Sequence, residues 1–341
     1  MTAAGGPRPR HEPVAGASGT TEPRASHSHG ESPEVGPIAV VPDAAPAFVD
    51  AVTASGGRVE PLSPATRGLV WTSSAEADRL ERILAEHPAI SWVQLPWAGV
   101  DAFADLLARH RDDGRVWTSA KGAYAQPVAE HALGLALAVL REFPRRVRAP
   151  GWEADERGRT LYGSDVVIVG AGGIAVELLR LLEPFRVRAT VVRRADAAVP
   201  GAARTVTTDR LAEVLGTAEV VFVVAALTEA TRGLIGATEL AAVPAGTVLV
   251  NVARGGLVDT DALVAALESG RLGGAGLDVT DPEPLPAEHP LWRAPNCLIT
   301  PHVADTDAMT VPLFARRIAA NAAAFVGGAT FDGRIDLDAG Y

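Results

Sequence analysis

One stretch of sequence limits the fold of this chain more than any other. Residues 165–175 read DVVIVGAGGIA, an apolar strand that runs into Gly170 and Gly172 and then into a helix. Gly170 permits a tight turn, Gly172 lets a phosphate approach the backbone, and the small Ala175 allows close packing of helix on strand. A second apolar strand at 188–192 completes a strand–helix–strand unit. The sequence therefore predicts a parallel α/β sheet with a dinucleotide site at its first turn.

Strands and helices also alternate before this unit. Short apolar segments at 38–41, 69–71 and 92–95 are separated by helical patterns, which is typical of a parallel sheet flanked by helices. The chain has 341 residues, whereas an ordinary domain has about 100 to 200. We therefore predict an α/β protein with two Rossmann-like, doubly wound parallel-sheet domains. An Ala/Leu-rich helix at 127–145 would connect them, and a last helix at 310–326 could return to the first domain.

Composition and charge exclude several classes of protein. Residues 1–36 carry almost no large apolar side chains, which predicts a disordered tail, and His27 and His29 within it are interpreted as solvated. No metal site is predicted. The net charge of -10 argues against nucleic-acid or membrane partners. With no signal peptide, no membrane span and a single cysteine, Cys297, we expect a cytoplasmic protein.

The end of the second strand bears on the choice of cofactor. An Asp or Glu there would bind the ribose 2′-hydroxyl of NAD, but this chain has Arg193 and Arg194. Two guanidinium groups would hold the 2′-phosphate of NADP through charge-assisted hydrogen bonds. NADP is therefore the preferred cofactor. NAD stays open, because one arginine could be a solvated charge and Asp196 could take the acidic role.

Three later segments each place a polar residue just after an apolar strand. They are NVARGGLVD (251–259), GLDVTDPEPLP (276–286) and ITPHVAD (299–305). In a doubly wound sheet the carboxyl ends of the strands form the ligand crevice, so Arg254, Asp278 and His302 should converge beside the cofactor.

These residue types suit the reduction of a 2-ketoacid. The reaction requires a cation for the carboxylate, a proton donor at the carbonyl oxygen and a hydride held over the carbonyl carbon. Arg254 fits the first role and His302 the second, while Glu283 is the candidate carboxylate that would stabilise the charged imidazole. Taken singly, each of the three could equally be structural.

The phosphate loop, NVARGGLVD, the LDVxxxEPLP run and TPH, in this order, resemble the D-isomer-specific 2-hydroxyacid dehydrogenase family. The resemblance implies that Arg254, Glu283 and His302 form the catalytic set, and that Asp278 binds the nicotinamide carboxamide. It extends to WVQLPWAGVDAF at 92–103, which is similar to the family's substrate loop, where backbone N–H groups receive the substrate carboxylate.

The motifs and the resemblance together give two sets of ligand-binding residues. The cofactor-binding set is Gly170, Gly172, Gly173, Ile174, Arg193, Arg194, Ala226, Thr231, Val252, Ala253, Asp278 and His302. The substrate-binding set is Trp97, Ala98, Gly99, Val100, Arg254 and His302. Two positions depart from the family's pattern: Ala226 stands where a proline is usual, and Asp305 where a small or neutral residue is usual.

The resemblance also implies a domain arrangement and an assembly. A split substrate domain would comprise residues 37–126 and 304–341, with an inserted NAD(P)-binding domain at 127–303. Family members are usually homodimers, and Trp152 lies where their dimer arm tends to be.

The leading hypothesis is an NAD(P)-dependent reductase of small 2-ketoacids, of the glyoxylate or hydroxypyruvate type, that also oxidises D-2-hydroxyacids. The alternatives are a 3-phosphoglycerate-type dehydrogenase and a dinucleotide-sensing binding protein with little turnover.

Overall fold

The computed structural model describes residues 34–338. The tail predicted at 1–36, with His27 and His29, lies outside the described residues except for its last three positions. The first sheet contains β1 (Ile38–Val41), β2 (Gly68–Trp71), β3 (Trp92–Gln94) and β4 (Val116–Thr118). The second contains β5 (Asp165–Val169), β6 (Arg188–Arg193), β7 (Arg204–Thr207), β8 (Val220–Val223), β9 (Thr247–Asn251), β10 (Leu272–Leu277) and β11 (Cys297–Ile299).

Ten α-helices lie among the described residues. They are α1 (Pro46–Ala54), α2 (Ala77–Glu86), α3 (Ala104–Arg109), α4 (Ala125–Leu140), α5 (Phe143–Arg146), α6 (Gly173–Leu182), α7 (Leu211–Leu215), α8 (Ala237–Ala242), α9 (Thr260–Glu268) and α10 (Asp307–Gly327). None of the helices described between residues 34 and 338 is both long and apolar enough to cross a membrane.

Both sheets are parallel throughout; the first keeps the chain order β1-β2-β3-β4, and the second reverses its strand order at an internal point. The second sheet has the order β11-β10-β9-β8-β5-β6-β7, so the chain runs outward from β5 to β7 and then returns to β8. In the first sheet β1 pairs with β2 on one side, and Ile38 bridges to Val59 on the other. This topology confirms the predicted α/β class with two Rossmann-like sheets. In the second sheet it places the crevice at the carboxyl ends of β5 and β8.

The predicted connecting helix at 127–145 is wrong in its limits. The helix begins at Ala125 and ends at Leu140, and a separate short helix, α5, follows. The break has a local cause: Pro144 has no N–H to donate, and in a continuous helix its ring would clash with the carbonyl of Leu140. Glu142 adopts a φ of 55° at the break.

Two strands escaped the sequence analysis, and both are short. β4 and β7 have three and four residues, and each includes polar or charged side chains. Their pairing with neighbouring strands, β3 and β6, defines them better than their own apolar pattern does.

The last helix packs against the first sheet. Phe314 of α10 meets Phe48 of α1 with ring centroids 5.2 Å apart, and Phe325 lies 5.2 Å from Trp92 of β3. Within this interface the buried Asn321 donates from Nδ2 to Oε1 of Gln94 at 2.7 Å. Helix α4 contacts α6, β9 and β10 of the second sheet. The exact domain boundaries stay a prediction.

Candidate active site

The phosphate loop follows β5 at the point where the strand order reverses. Gly170 adopts a φ of 119°, which favours glycine, and a Cβ there would lie 2.7 Å from backbone atoms of Val224 and Ala225. The two strand ends are thus in backbone contact. Ala175 is fully buried where α6 packs on the sheet, as its small size suggested.

The amino end of α6 faces outward from this turn. Gly172 is the N-cap residue in an extended conformation, and a Cβ there would meet nothing within 4 Å. The first N–H groups of a helix have no intrahelical acceptor, and they lie at its amino end, which is the positive end of the helix dipole. The loop residues Gly172, Gly173 and Ile174 therefore fit a dinucleotide phosphate.

The end of β6 carries the two arginines. Arg193 is half-buried and donates from Nη1 to the carbonyl oxygen of Ala197 at 3.2 Å. Arg194 and Asp196 are exposed. The guanidinium of Arg193 is thus oriented by the loop that follows the strand.

Arg254 is held in place by two hydrogen bonds and lies against the backbone of Gly99. Its Nε donates to Oδ2 of Asp101 at 3.0 Å, and its Nη1 donates to the carbonyl oxygen of its neighbour Ala253 at 2.8 Å. Its Nη2 lies so close to Gly99 that a Cβ there would be 1.9 Å away. The guanidinium therefore lies directly over the predicted substrate loop, and only glycine fits beneath it.

Asn251 shapes the turn that presents Arg254. Its side-chain oxygen accepts from the N–H of Ala253 at 3.1 Å, and its Nδ2 donates to the carbonyl oxygen of Arg254 at 2.9 Å. Val252 and Ala253, predicted to contact the cofactor, are almost fully buried in this turn. Asn251 is the first letter of the N-x-A-R-G motif, so the sequence offered a signal that we gave no role.

His302 and Glu283 form a close pair. His302 Nδ1 lies 2.6 Å from Glu283 Oε1, and both side chains are about two-fifths exposed (43% and 41%). Since a carboxylate only accepts, the proton of the neutral ring sits on Nδ1 or, in the charged ring, on both nitrogens. Nε2 is left to face a ligand. His302 has a φ of 52°, an uncommon conformation for a residue with a Cβ that is enriched at functional sites.

Asp278 anchors the turn that carries His302. Its side chain is 1% exposed, and Oδ1 accepts from Thr300 Oγ1 at 2.6 Å and from the N–H of Val303 at 3.0 Å. Oδ2 accepts from the N–H of Ala304 at 3.0 Å. His131 Nε2 donates to Thr300 Oγ1 at 2.9 Å and lies 3.4 Å from Asp278.

These hydrogen bonds set the protonation state of Asp278. Burial alone raises its pKa, but the hydrogen bonds from His131, Thr300 and the backbone N–H groups outweigh it and lower the pKa to about 2. The carboxylate is therefore charged throughout the neutral range. Most of its accepting capacity serves the turn at His302, and its predicted contact with the nicotinamide stays a prediction.

The substrate loop presents backbone donors beside Arg254. Among the described residues, the N–H groups of Ala98, Gly99 and Val100 donate to no protein acceptor. Trp97 packs edge-on against Tyr124, with ring centroids 5.7 Å apart, and Tyr124 donates from its hydroxyl to the carbonyl oxygen of Pro96 at 2.6 Å. Tyr124 thus supports the loop through Trp97 and Pro96, and the three N–H groups are available to a ligand.

Both departures from the family pattern lie at this crevice. Without the usual proline, the Ala226 turn is closed by Thr231, whose Oγ1 donates to the carbonyl oxygen of Ala226 at 2.7 Å and accepts from the N–H of Thr228 at 2.8 Å. Asp305 is half-buried; burial raises its pKa, the charges of His302 and Arg254 oppose that rise, and the charge of Asp278 adds to it.

Two further residues escaped the sequence analysis. Asp101 lies within the predicted substrate loop but was given no role, and it is separated from Arg254 by 153 positions. Thr300 is the first residue of the TPH motif, and its hydroxyl joins His131 to Asp278 by hydrogen bonds. Only the folded chain shows these contacts. Between residues 34 and 338 no group of three or more His, Cys, Asp or Glu side chains could hold a metal ion.

The sequence matches a known family model. The model described as D-isomer specific 2-hydroxyacid dehydrogenase, NAD binding domain, matches residues 133–304. The chain is 39% identical over 258 residues to an uncharacterized protein of Corynebacterium melassecola, a match that covers 74% of this chain and 84% of that protein. It is 36% identical over 186 residues to the glyoxylate reductase/hydroxypyruvate reductase of Homo sapiens. That match covers 51% of this chain and only about half (56%) of the human protein.

The fold is also similar to that of a solved structure from the same family. The chain resembles the D-isomer specific 2-hydroxyacid dehydrogenase of Xanthobacter autotrophicus Py2, crystallised in complex with NADPH and MES, with a TM-score of 0.76 and 28% identity. The superposition covers 90% of this chain and 100% of that one.

The Asp278 network generates a testable prediction about pH. The folded pKa of about 2 is lower than the ordinary value of 3.8, so the charged carboxylate stabilises the fold at neutral pH and loses this contribution as the pH falls from about 4 toward 2. We expect Asp278→Asn to lower the free energy of unfolding at neutral pH by about 2 kcal/mol. Urea unfolding over this pH range should show the gap to the wild type narrowing as the pH falls.

The control is Asp50→Asn, which removes an exposed carboxylate from α1. Its stability should follow that of the wild type at every pH. A gap between Asp278→Asn and the wild type that stayed constant down to the lowest pH would contradict the assignment.

Proposed function

The chain belongs to the D-isomer-specific 2-hydroxyacid dehydrogenase family, and we propose that it is an NADP-preferring reductase of small 2-ketoacids, of the glyoxylate or hydroxypyruvate type. The observation that carries this proposal is the pair formed by His302 and Glu283, which lies on the same sheet edge as Arg254 and the phosphate loop. A proton donor, a carboxylate-binding cation and a dinucleotide site are the three requirements of the reaction.

The substrate carboxylate would bind between Arg254 and the N–H groups of Gly99 and Val100. The guanidinium supplies a planar pair of donors, and the backbone groups add two more. Only glycine fits below Arg254 at position 99, so the guanidinium can lie against the loop backbone. Both sets of donors can then reach one carboxylate. This position would fix the 2-carbonyl carbon relative to the loop.

His302 would supply the proton. With Nδ1 held by Glu283, Nε2–H of the imidazolium can donate to the carbonyl oxygen, and the neutral ring can take the proton back in the oxidation direction. The nicotinamide, when bound, supplies the hydride to the carbonyl carbon. Hydride and proton together convert the 2-ketoacid to the 2-hydroxyacid, and the positive charge of the imidazolium is stabilised by Glu283 until the proton leaves.

A direct assay tests the function and its alternatives. Glyoxylate, hydroxypyruvate and pyruvate are each mixed with NADPH or NADH, and cofactor oxidation is followed by absorbance. We expect turnover with at least one of the three and preference for NADPH. A parallel assay mixes 3-phosphoglycerate with NADP⁺ or NAD⁺, and activity confined to that substrate would favour a 3-phosphoglycerate-type enzyme. Cofactor binding without turnover on any substrate would favour a dinucleotide-sensing protein.

His302→Ala tests the proton donor. Loss of a general acid should lower kcat by about 10² to 10⁴-fold, while NADPH binding stays close to that of the wild type. Steady-state kinetics and a fluorescence titration of NADPH measure the two quantities. Glu288→Gln, which removes another exposed carboxylate from the same loop as Glu283, is the matched control and should retain wild-type turnover. Near-wild-type kcat in His302→Ala would refute the role given to this residue.

Arg193→Asp tests the cofactor preference. An acidic side chain at the end of β6 would repel the 2′-phosphate and accept a hydrogen bond from the 2′-hydroxyl, so the NADPH-to-NADH ratio of kcat/KM should fall by at least about tenfold. Arg186→Asp is the control, since Arg186 is exposed and lies in the turn that precedes the other end of β6. If both variants kept the wild-type ratio, the assignment of NADP would fail.

We also propose that the chain forms a homodimer. Trp152 is 97% exposed, and Val147 and Phe143 nearby are largely exposed as well. Large apolar side chains that are exposed in this way are typical of a protein interface. Light scattering coupled to size exclusion should give twice the mass of one chain, and Trp152→Ser should shift the equilibrium toward monomer. Val326→Ser, an exposed change on α10, should not. A monomeric wild type would refute the proposal.

A further inference from the structure

Almost all basic residues of this chain are arginines. Of the 31 lysines and arginines only one is a lysine, Lys121. It lies in the turn that joins β4 to α4, between Ser119 and Gly122. Neither the catalytic residues nor the predicted cofactor-binding residues include it.

The backbone of this turn is fixed from three directions. The N–H of Lys121 donates to Ser119 Oγ at 3.2 Å, and the N–H of Ala120 donates to the carbonyl oxygen of Trp97 at 3.1 Å. Arg317 of α10 donates from Nη2 to the carbonyl oxygen of Lys121 at 2.9 Å and from Nη1 to that of Ser119 at 3.2 Å. The position of Lys121 is therefore set by the fold.

The turn lies directly against the phosphate loop. A Cβ on Gly173, the first residue of α6, would be 2.9 Å from Cα of Gly122. The residue next to Lys121 in sequence is thus in backbone contact with the amino end of the helix that fits a dinucleotide phosphate. Lys121 itself is exposed at this edge of the crevice.

Two charged groups act on the ammonium group of Lys121. Desolvation lowers its pKa, the carboxylate of Asp336 opposes this, and the positive charge of Arg194 lowers it further. Lys121 and Arg194 are therefore near enough to repel each other, although they come from different sheets. Two cations that repel each other are stabilised when an anion lies between them.

We propose that Lys121 binds the 2′-phosphate of NADP from the side of the crevice opposite Arg193 and Arg194. The adenosine end of the cofactor is then held between the β4–α4 turn and the end of β6. A compact ammonium reaches a phosphate as a point charge, whereas the arginines offer planar donors, so the two kinds of cation complement each other on one dianion. The inference rests on the proposed use of NADP and adds a residue from outside the second sheet to its recognition.

The test measures binding of NADPH and NADH to the full chain by nicotinamide fluorescence. Lys121→Gln should weaken NADPH binding by at least about tenfold, the typical effect of losing one hydrogen bond to a charged group, and should change NADH binding by less than about twofold. Lys121→Arg, which keeps the charge, should retain most of the affinity for NADPH. Arg58→Gln removes one exposed cation from another part of the molecule and should leave both affinities unchanged.

The outcomes separate this inference from the proposed function. If the wild type binds no NADPH, both fail. If the wild type binds NADPH and Lys121→Gln binds it equally well, only the inference fails. An equal loss for NADPH and NADH would also overturn it, since the lysine would then serve the pyrophosphate or the fold. Unchanged NADH binding in Lys121→Gln shows at the same time that the variant is folded.

A second measurement needs no substitution. Because Lys121 is the only lysine, acetylation of side-chain amines by a water-soluble acyl ester modifies this residue alone among the side chains. Its rate can be followed by mass spectrometry of the peptide. NADPH at saturation should slow the modification strongly and NADH weakly. Equal protection by the two cofactors, or none by NADPH, would contradict a contact with the 2′-phosphate.

Discussion

The geometry of the crevice depends on one buried carboxylate. Asp278 ends its strand almost without solvent contact and holds the backbone of Val303 and Ala304 on its two oxygens. Those bonds determine the path of the turn and the unusual backbone angle of His302. The His302 ring can then reach Glu283, which belongs to a different loop. An isolated buried charge would be costly, but this one is stabilised by its hydrogen bonds and in turn fixes the position of the turn that carries His302.

Much of this could be predicted from the sequence because the decisive features are local. Gly170 is needed where two strand ends touch, and Gly99 where a guanidinium lies over the backbone, so glycine at these positions reports a steric demand. Parallel strands bring their carboxyl ends to one edge, so polar residues that follow strands converge whatever the loop lengths. Arg254 and His302 were therefore found with no knowledge of the packing.

Other features depend on contacts between distant parts of the chain. The partner of Arg254 is 153 positions away, and Asn321 meets Gln94 across 227. No periodicity in the sequence records such a pair. Short strands such as β7 exist because a neighbour offers hydrogen bonds, and their own residues favour no single structure. The split of the connecting helix was readable in principle, since Pro144 was visible, but the Ala/Leu-rich pattern around it concealed the break.

The ion pair between Arg254 and Asp101 has a consequence for ligand selection. In the structure this arginine already holds an internal carboxylate, so an incoming acid exchanges partners with it and does not fill an unused charge. Affinity then depends on the difference between two similar interactions, and an acid that offers a better geometry than Asp101 is favoured over one that offers charge alone. Asp101 thus acts as an internal competitor, and each substrate carboxylate must bind Arg254 more strongly than the Asp101 carboxylate does.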